Sequence, residues 1–245
     1  DGGTVDDTCI CRLAEEEFLM TINAANIDKD IEWIKTNATG FNVEIKNMSD
    51  YYGQLAIQGP DSEAIVTEVL GIPCKDLHFY EVKALHKDDE EIIISRTGYT
   101  GEDGFELYGS HKFIISQWDK LMASGRCKPC GLGCRYTLRF EVGLPLYGNE
   151  LSVEISPIMA GLGMFVKLEK SEFIGRDALL RQKTEGVAKR LRGIELDDNA
   201  IPRHGYNILQ NGAIIGQVTT GYRLISTNKS CAVALVDDSL KLGDR

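Results

Sequence analysis

The period of the hydrophobic pattern changes once along this chain, near residue 185, and that change limits what it can fold into. Before it, strand-like and helix-like segments alternate, with no internal repeat or low-complexity tract. After it, every patterned segment has the two-residue period of a strand. Alternating periods call for helices packed on a sheet, whereas a run of short strands calls for sheet alone. The best linker spans 184–189. The expected division is therefore an α+β body over residues 1–185 and a smaller all-β, barrel-like domain over 186–245.

Within the body, residues 8–13 and 18–22 are β-rich runs separated by three glutamates, the pattern of a hairpin. Ile27, Ile31, Ile34 and Ala38 recur at helical spacing behind Asn26, with Gly40 as a stop. Residues 41–47 and 53–58 read as strands, and Gly59-Pro-Asp-Ser62 opens a helix. Strands are expected at 79–86, 91–97 and 105–108, with a glycine-rich loop at 97–104. Ser110 is placed to cap a helix closed by Gly125, and further helices are expected over 132–143 and 175–184. In the second half, Gln210-Asn-Gly212 between strand-like runs at 208–209 and 213–215 is a primed-turn hairpin signal. Further strands read at 218–222 and 232–236.

Charge removes several functions. The 245 residues carry 27 Lys+Arg against 37 Asp+Glu, a net charge of −10. A surface acidic on average disfavours nucleic acid, although a local pair of arginines still suits a small anion. Arg135 and Arg139 form such a pair, four apart on one helix face, where like charges repel unless an acidic group or ligand answers them. No stretch approaches the ~20 apolar residues of a membrane span, and no signal peptide opens the chain. The expectation is a soluble protein without membrane or nucleic-acid partners. Seven irregularly spaced cysteines point to reduced thiols in a cytosol-like compartment.

Cys127-Lys-Pro-Cys130-Gly-Leu-Gly-Cys134 has the spacing of part of a metal or iron–sulfur site. No histidine supplies a fourth ligand at suitable spacing, so no metal is expected, and Cys130 and Cys134 are expected to pack inward. Trp33 and Trp118 sit at helical positions suited to a core. Asp6-Asp7 follow Gly2-Gly3 on what reads as an incoming strand at an exposed edge. Glu106 alternates with Phe105 and Leu107, which puts one carboxylate on the face opposite two apolar side chains. The 98–104 loop lacks the phosphate-binding glycine patterns and leads into a strand rather than a helix. The spacings alone reach no further than an α+β protein able to hold an anionic ligand.

Several segments in the same order resemble one family, the aminomethyltransferases (T-protein) of the glycine cleavage system. They are Gly2-Gly-Thr-Val-Asp-Asp7, Asn23-Ala-Ala-Asn-Ile-Asp-Lys-Asp30, Leu55-Ala-Ile-Gln-Gly-Pro60, Ser95-Arg-Thr-Gly-Tyr-Thr-Gly-Glu-Asp-Gly-Phe-Glu106, Lys128-Pro-Cys-Gly-Leu-Gly133, Thr137-Leu-Arg-Phe-Glu141, Leu144-Pro-Leu-Tyr-Gly-Asn-Glu150, Ile155-Ser-Pro157 and Phe173-Ile-Gly-Arg176. The resemblance implies an α+β multidomain cloverleaf around a central tetrahydrofolate site, with an incomplete C-terminal barrel domain. It implies transfer of the aminomethyl group from lipoylated H-protein, release of ammonia, and formation of 5,10-methylenetetrahydrofolate. Asp6 matches the family's catalytic aspartate, while Tyr99, Glu106 and Arg135 match folate-binding positions. Tetrahydrofolate is the acceptor substrate and no metal is implied.

Tyr136 and Met164 depart from the family's usual Asp and Trp. The chain opens at Asp1 and stops at Arg245, so it is expected to be cut from something longer at both ends. The bacterial cytoplasm is the expected compartment, or the mitochondrial matrix for a eukaryotic source. Two other readings remain: a non-catalytic folate-binding relative of the iron–sulfur maturation type, and another tetrahydrofolate-dependent demethylase. The first is disfavoured because its cysteine motif has no cysteine in Gly143-Leu-Pro-Leu-Tyr-Gly-Asn149.

Overall fold

The computed structural model describes residues 2–241, 243 and 244. They form two compact units that do not follow chain order. One runs from Thr8 to Val142, and the other joins the residues up to Asp7 with those from Gly143 onward.

The unit from Thr8 to Val142 is built on a four-stranded antiparallel sheet. It begins with the expected hairpin, β1 (Cys9–Arg12) paired with β2 (Phe18–Thr21). Helix α1 (Ile27–Asn37) starts after Asn26 as expected, without a cap from that side chain. The sheet order is β3 (Tyr52–Gln58), β6 (Gly104–Ser110), β5 (Glu90–Ser95) and β4 (Val82–Lys87). Helices α2 (Ser62–Glu68) and α3 (His111–Ser124) pack on one face of this sheet. Their Ile65, Val66, Phe113 and Leu121 meet Ile57, Ile92, Ile94, Phe105 and Leu107 in a single apolar core.

Helix α3 is bounded as its sequence dictates. Ser110 Oγ accepts from the Phe113 amide at 3.2 Å, and Gly125 closes the helix at φ +66°. Helix α4 (Leu132–Glu141) follows. Some expectations fail in this unit. Residues 41–47 form no ladder, because an alternating pattern makes a strand only beside a partner edge, and Phe41 and Val43 lie exposed. Trp33 and Trp118 are 38% and 40% exposed rather than core residues. On α3 the buried line is Phe113, Gln117 and Leu121, and Trp118 falls beside it.

The other unit carries α5 (Arg176–Glu185) and a second antiparallel sheet. Its order is β7 (Lys189–Glu195), β10 (Ser230–Asp237), β9 (Ala213–Arg223) and β8 (Asn207–Gln210). Val218, Ala232, Ala234 and Val236 form its core. Asn211 and Gly212 both take positive φ, +52° and +83°, as the primed turn requires. The two strands expected at 213–215 and 218–222 are one eleven-residue strand. Gly216 continues β9 because a Cβ there would lie 2.2 Å from the Leu235 carbonyl, so the glycine marks a close backbone approach rather than a break.

Candidate functional site

Register in the first sheet produces one polar patch. In an antiparallel pair, directly opposed residues share a face. Glu106 lies opposite Ala56 on β3 and opposite Ser95 on β5, and Tyr108 lies opposite Gln54. The face away from the helices therefore carries a carboxylate flanked by two small residues, as the alternation with Phe105 and Leu107 predicts.

That carboxylate is held by three neutral donors. Gln54 Nε2 donates to Glu106 Oε1 at 2.8 Å. The Thr97 hydroxyl donates to Oε2 in a short bond, and Tyr108 OH donates to the same oxygen at 3.2 Å. With its proton on Glu106, the Thr97 hydroxyl accepts from Ser95 Oγ at 2.6 Å. Burial, and then the Glu106 charge, pushes the Tyr108 phenol well above its ordinary value of 10.0, which keeps it a donor. Burial likewise raises the Cys11 thiol, with a smaller push from Glu106.

The glycine loop is fixed around Gln58. Gln58 Nε2 donates to the Thr97 carbonyl at 3.1 Å, and Thr100 Oγ1 donates to Gln58 Oε1 at 3.1 Å. A Cβ on Gly98 or Gly104 would lie 1.8 Å or 2.4 Å from this side chain and would displace it from its hydrogen bonds to the loop. Arg96 clamps the loop's far end, reaching Asp103 at 2.9 and 2.6 Å and Glu63 at 3.1 Å. The Arg96 bonds hold the Asp103 carboxyl below its ordinary 3.8. Tyr99, carried by this loop, lies under Arg135 of α4, whose guanidinium carbon stands 4.4 Å from the ring centroid. Tyr136 is half-buried on the same helix.

In the other unit, the Gly2–Asp7 segment is not the exposed strand edge expected of it. It is irregular backbone with Asp6 and Asp7 half-buried. Thr4 anchors it, its amide donating to the Ser152 carbonyl and its hydroxyl to the Ile155 carbonyl, both at 2.8 Å. Gly3 permits the crossing, since a Cβ there would lie 1.7 Å from the Val153 carbonyl. Asp6 Oδ1 accepts from the Asp7 amide at 2.9 Å, and its Oδ2 is shielded from solvent. Glu150, buried, accepts from the Thr219 and Thr220 hydroxyls at 2.6 Å each and from the Leu146 amide at 2.9 Å, tying residues 146–150 to β9. Met164 is exposed in a short 3-10 turn.

Of the four residues singled out from the sequence, the first unit thus holds Glu106 in a cage and Tyr99 and Arg135 in one stack, while Asp6 belongs to the other unit. Gln54, Thr97 and Tyr108 escaped the sequence reading. Gln54 and Tyr108 share Glu106's two-residue phase, but only strand register reveals it. Expected inward packing of the cysteines also fails: Cys130 is exposed and Cys134 half-exposed, because both precede or open the first turn of α4. Among the described residues no group of His, Cys, Asp and Glu is arranged to hold a metal ion.

The first unit is thus an α+β unit in which a helix-backed sheet presents one pre-ordered carboxylate and an arginine lies over a tyrosine ring. The chain belongs to the GCVT family: its residues 1–170 match the GCVT N-terminal domain, and residues 189–245 match the glycine cleavage T-protein C-terminal barrel domain. It is 47% identical over 241 residues to an aminomethyltransferase of Thermoanaerobacter pseudethanolicus, 46% over 241 to one of Lysinibacillus sphaericus, and 45% over 243 to one of Clostridium botulinum. Each match covers 97% of this chain and 66% of the relative, so the chain spans just under two thirds of these relatives' length. The crystal structure of glycine cleavage system aminomethyltransferase T from Bartonella henselae matches with a TM-score of 0.92 at 31% identity. That match covers 98% of this chain and 66% of that one.

Proposed function

We propose that this protein is an aminomethyltransferase of glycine cleavage, taking the aminomethyl group from lipoylated H-protein and passing its carbon to tetrahydrofolate, with release of ammonia. The observation that carries the reading is the state of Glu106. A carboxylate accepts in about four directions, and Gln54, Thr97 and Tyr108 take three of them. A pterin's amide–amino edge presents two donors, so it takes the open direction on Oε1 and one more. Thr97 and Tyr108 are buried, whereas Gln54 is exposed and ends a flexible chain, so Gln54 is the donor that gives way. The fit therefore requires one side-chain rotation and no change in the sheet.

Arg135, held over the Tyr99 ring, offers a guanidinium for the anionic tail of folate. Asp6 is the proposed catalytic carboxylate. Its role is to stabilise positive charge as a folate nitrogen attacks the iminium-like carbon, and to accept the proton that nitrogen loses. The body over 1–185 and the domain over 186–245 would serve one reaction, the first carrying these four residues. Folate and H-protein are the proposed partners, and the reducing interior of a bacterial cell is the proposed compartment.

The reading is tested by supplying aminomethylated H-protein and tetrahydrofolate and measuring ammonia release. The unmutated chain is expected to turn over, and Asp6→Asn to lose at least about a hundredfold in rate with folate affinity retained. Equal rates in the two proteins would remove Asp6 from the chemistry.

A further inference from the structure

The run Cys127-Lys-Pro-Cys130-Gly-Leu-Gly-Cys134 divides into two parts in the fold. Cys127 packs against the apolar core of its unit, beside Met122 among the side chains that border it. Cys130, exposed, and Cys134, half-exposed, stand apart from that core; the Cys130 thiol donates to the Lys128 carbonyl at 3.5 Å, and Cys130 is the thiol that acts on Cys134. Cys130 lies just ahead of the N-cap Gly131, and Cys134 is the third residue of α4. Between them Gly131 and Gly133 have no Cβ, and one built at either position would meet nothing within 4 Å. Leu132 is also exposed. The three-residue link therefore has room to adjust to the narrow geometry a disulfide demands.

We infer that Cys130 and Cys134 form a reversible dithiol–disulfide couple, oxidised by hydrogen peroxide and sensed at Arg135, the next residue along the helix. The Cys130 thiolate attacks one peroxide oxygen, the O–O bond breaks, and a sulfenic acid and water result. The Cys134 sulfur then attacks that sulfenic sulfur, the S–S bond forms, and a second water leaves. Two thiols lose two electrons and two protons, and one peroxide becomes two waters. Cys130 is the attacking thiol because it is the exposed one, while burial raises the Cys134 thiol and suits it to the resolving step. Closing the link tightens the first turn of α4 and displaces Arg135 from its stack on Tyr99.

The bond is tested on the intact chain with hydrogen peroxide, followed by dithiothreitol. A tryptic peptide of residues 127–135 carries all three thiols. It is expected to lose about 2 Da on oxidation and regain it on reduction. The loss should persist in Cys127→Ala and vanish in Cys130→Ser and in Cys134→Ser. No loss, a loss abolished by Cys127→Ala, or overoxidation of Cys130 in its place would overturn the couple. The effect on Arg135 rests on the folate reading above: oxidation is expected to weaken tetrahydrofolate binding by about two- to fivefold, the worth of an exposed cation–π contact, and to leave Cys134→Ser unaffected. Unchanged affinity in the oxidised chain would overturn sensing at Arg135. A reduced chain that binds no folate would sink the folate reading, while the peptide mass still decides the couple.

Discussion

Thr97 is the residue whose replacement separates a caged carboxylate from an incidental contact. It is 6% exposed and gives its hydroxyl proton to Glu106. Thr97→Val keeps the shape and removes the donor. A hydrogen bond to a charged acceptor contributes about 1.5–3 kcal/mol. Thr97→Ser keeps the donor and removes one methyl group, at about 0.8 kcal/mol. At roughly 2–4 °C per kcal/mol for a chain of this size, valine should lower the unfolding midpoint by about 3–12 °C and serine by about 2–3 °C. Calorimetry at neutral pH measures both. The order matters more than either value: serine losing as much as valine would show that the methyl group, not the bond to Glu106, is what Thr97 contributes.

Other consequences follow from the same geometry. Gln54→Ala removes the donor that must give way, so tetrahydrofolate affinity by calorimetric titration should rise about two- to tenfold, the range of one net hydrogen bond; a fall would make Gln54 part of the ligand's own binding set. Gly3→Ala forces a Cβ against the Val153 carbonyl and should cost about 1–3 kcal/mol in urea unfolding, whereas a neutral result would mean the segment shifts freely. The Asp103 carboxyl is held below its ordinary 3.8, so its stabilisation is complete above that value and is lost as pH falls through the lower, folded one. The stability gap between the unmutated chain and Asp103→Asn should therefore be open at pH 6 and close progressively below about pH 4. A gap constant with pH would refute the pairing with Arg96.

Local signals carried the fold well where each rested on a single physical requirement. Ser110 and Gly125 bound α3 because a cap needs a hydroxyl and a left-handed stop needs glycine. Asn211-Gly212 turns its hairpin for the same kind of reason. The failures share a different cause, since each depended on a partner distant in sequence. The alternation at 41–47 found no neighbouring strand, and Trp33 and Trp118 lie beside the lines their helices bury. The runs at 213–215 and 218–222 read as separate strands because the Leu235 carbonyl that accommodates Gly216 between them lies on another strand.

The site divides in the same way. Glu106 was legible from its phase against Phe105 and Leu107, and its proposed role comes from family resemblance rather than pattern. Its cage was not legible, because Gln54 lies 52 residues away and meets it only through the β3–β6 register. Gly3 was visible as a residue but not as a requirement until the Val153 carbonyl was found above it.

The central proposal, that Glu106 is the anchor for a folate pterin, is tested most directly by thermal unfolding with and without excess tetrahydrofolate, on the unmutated chain and on Glu106→Gln. At a ligand concentration near 100 times Kd the unmutated chain should gain about 2.7 kcal/mol, a rise of roughly 5–11 °C in midpoint. Glu106→Gln should lose most of that rise, because its amide presents donors where the pterin edge also presents donors. An equal rise in both proteins, or none in the unmutated chain, would contradict the account.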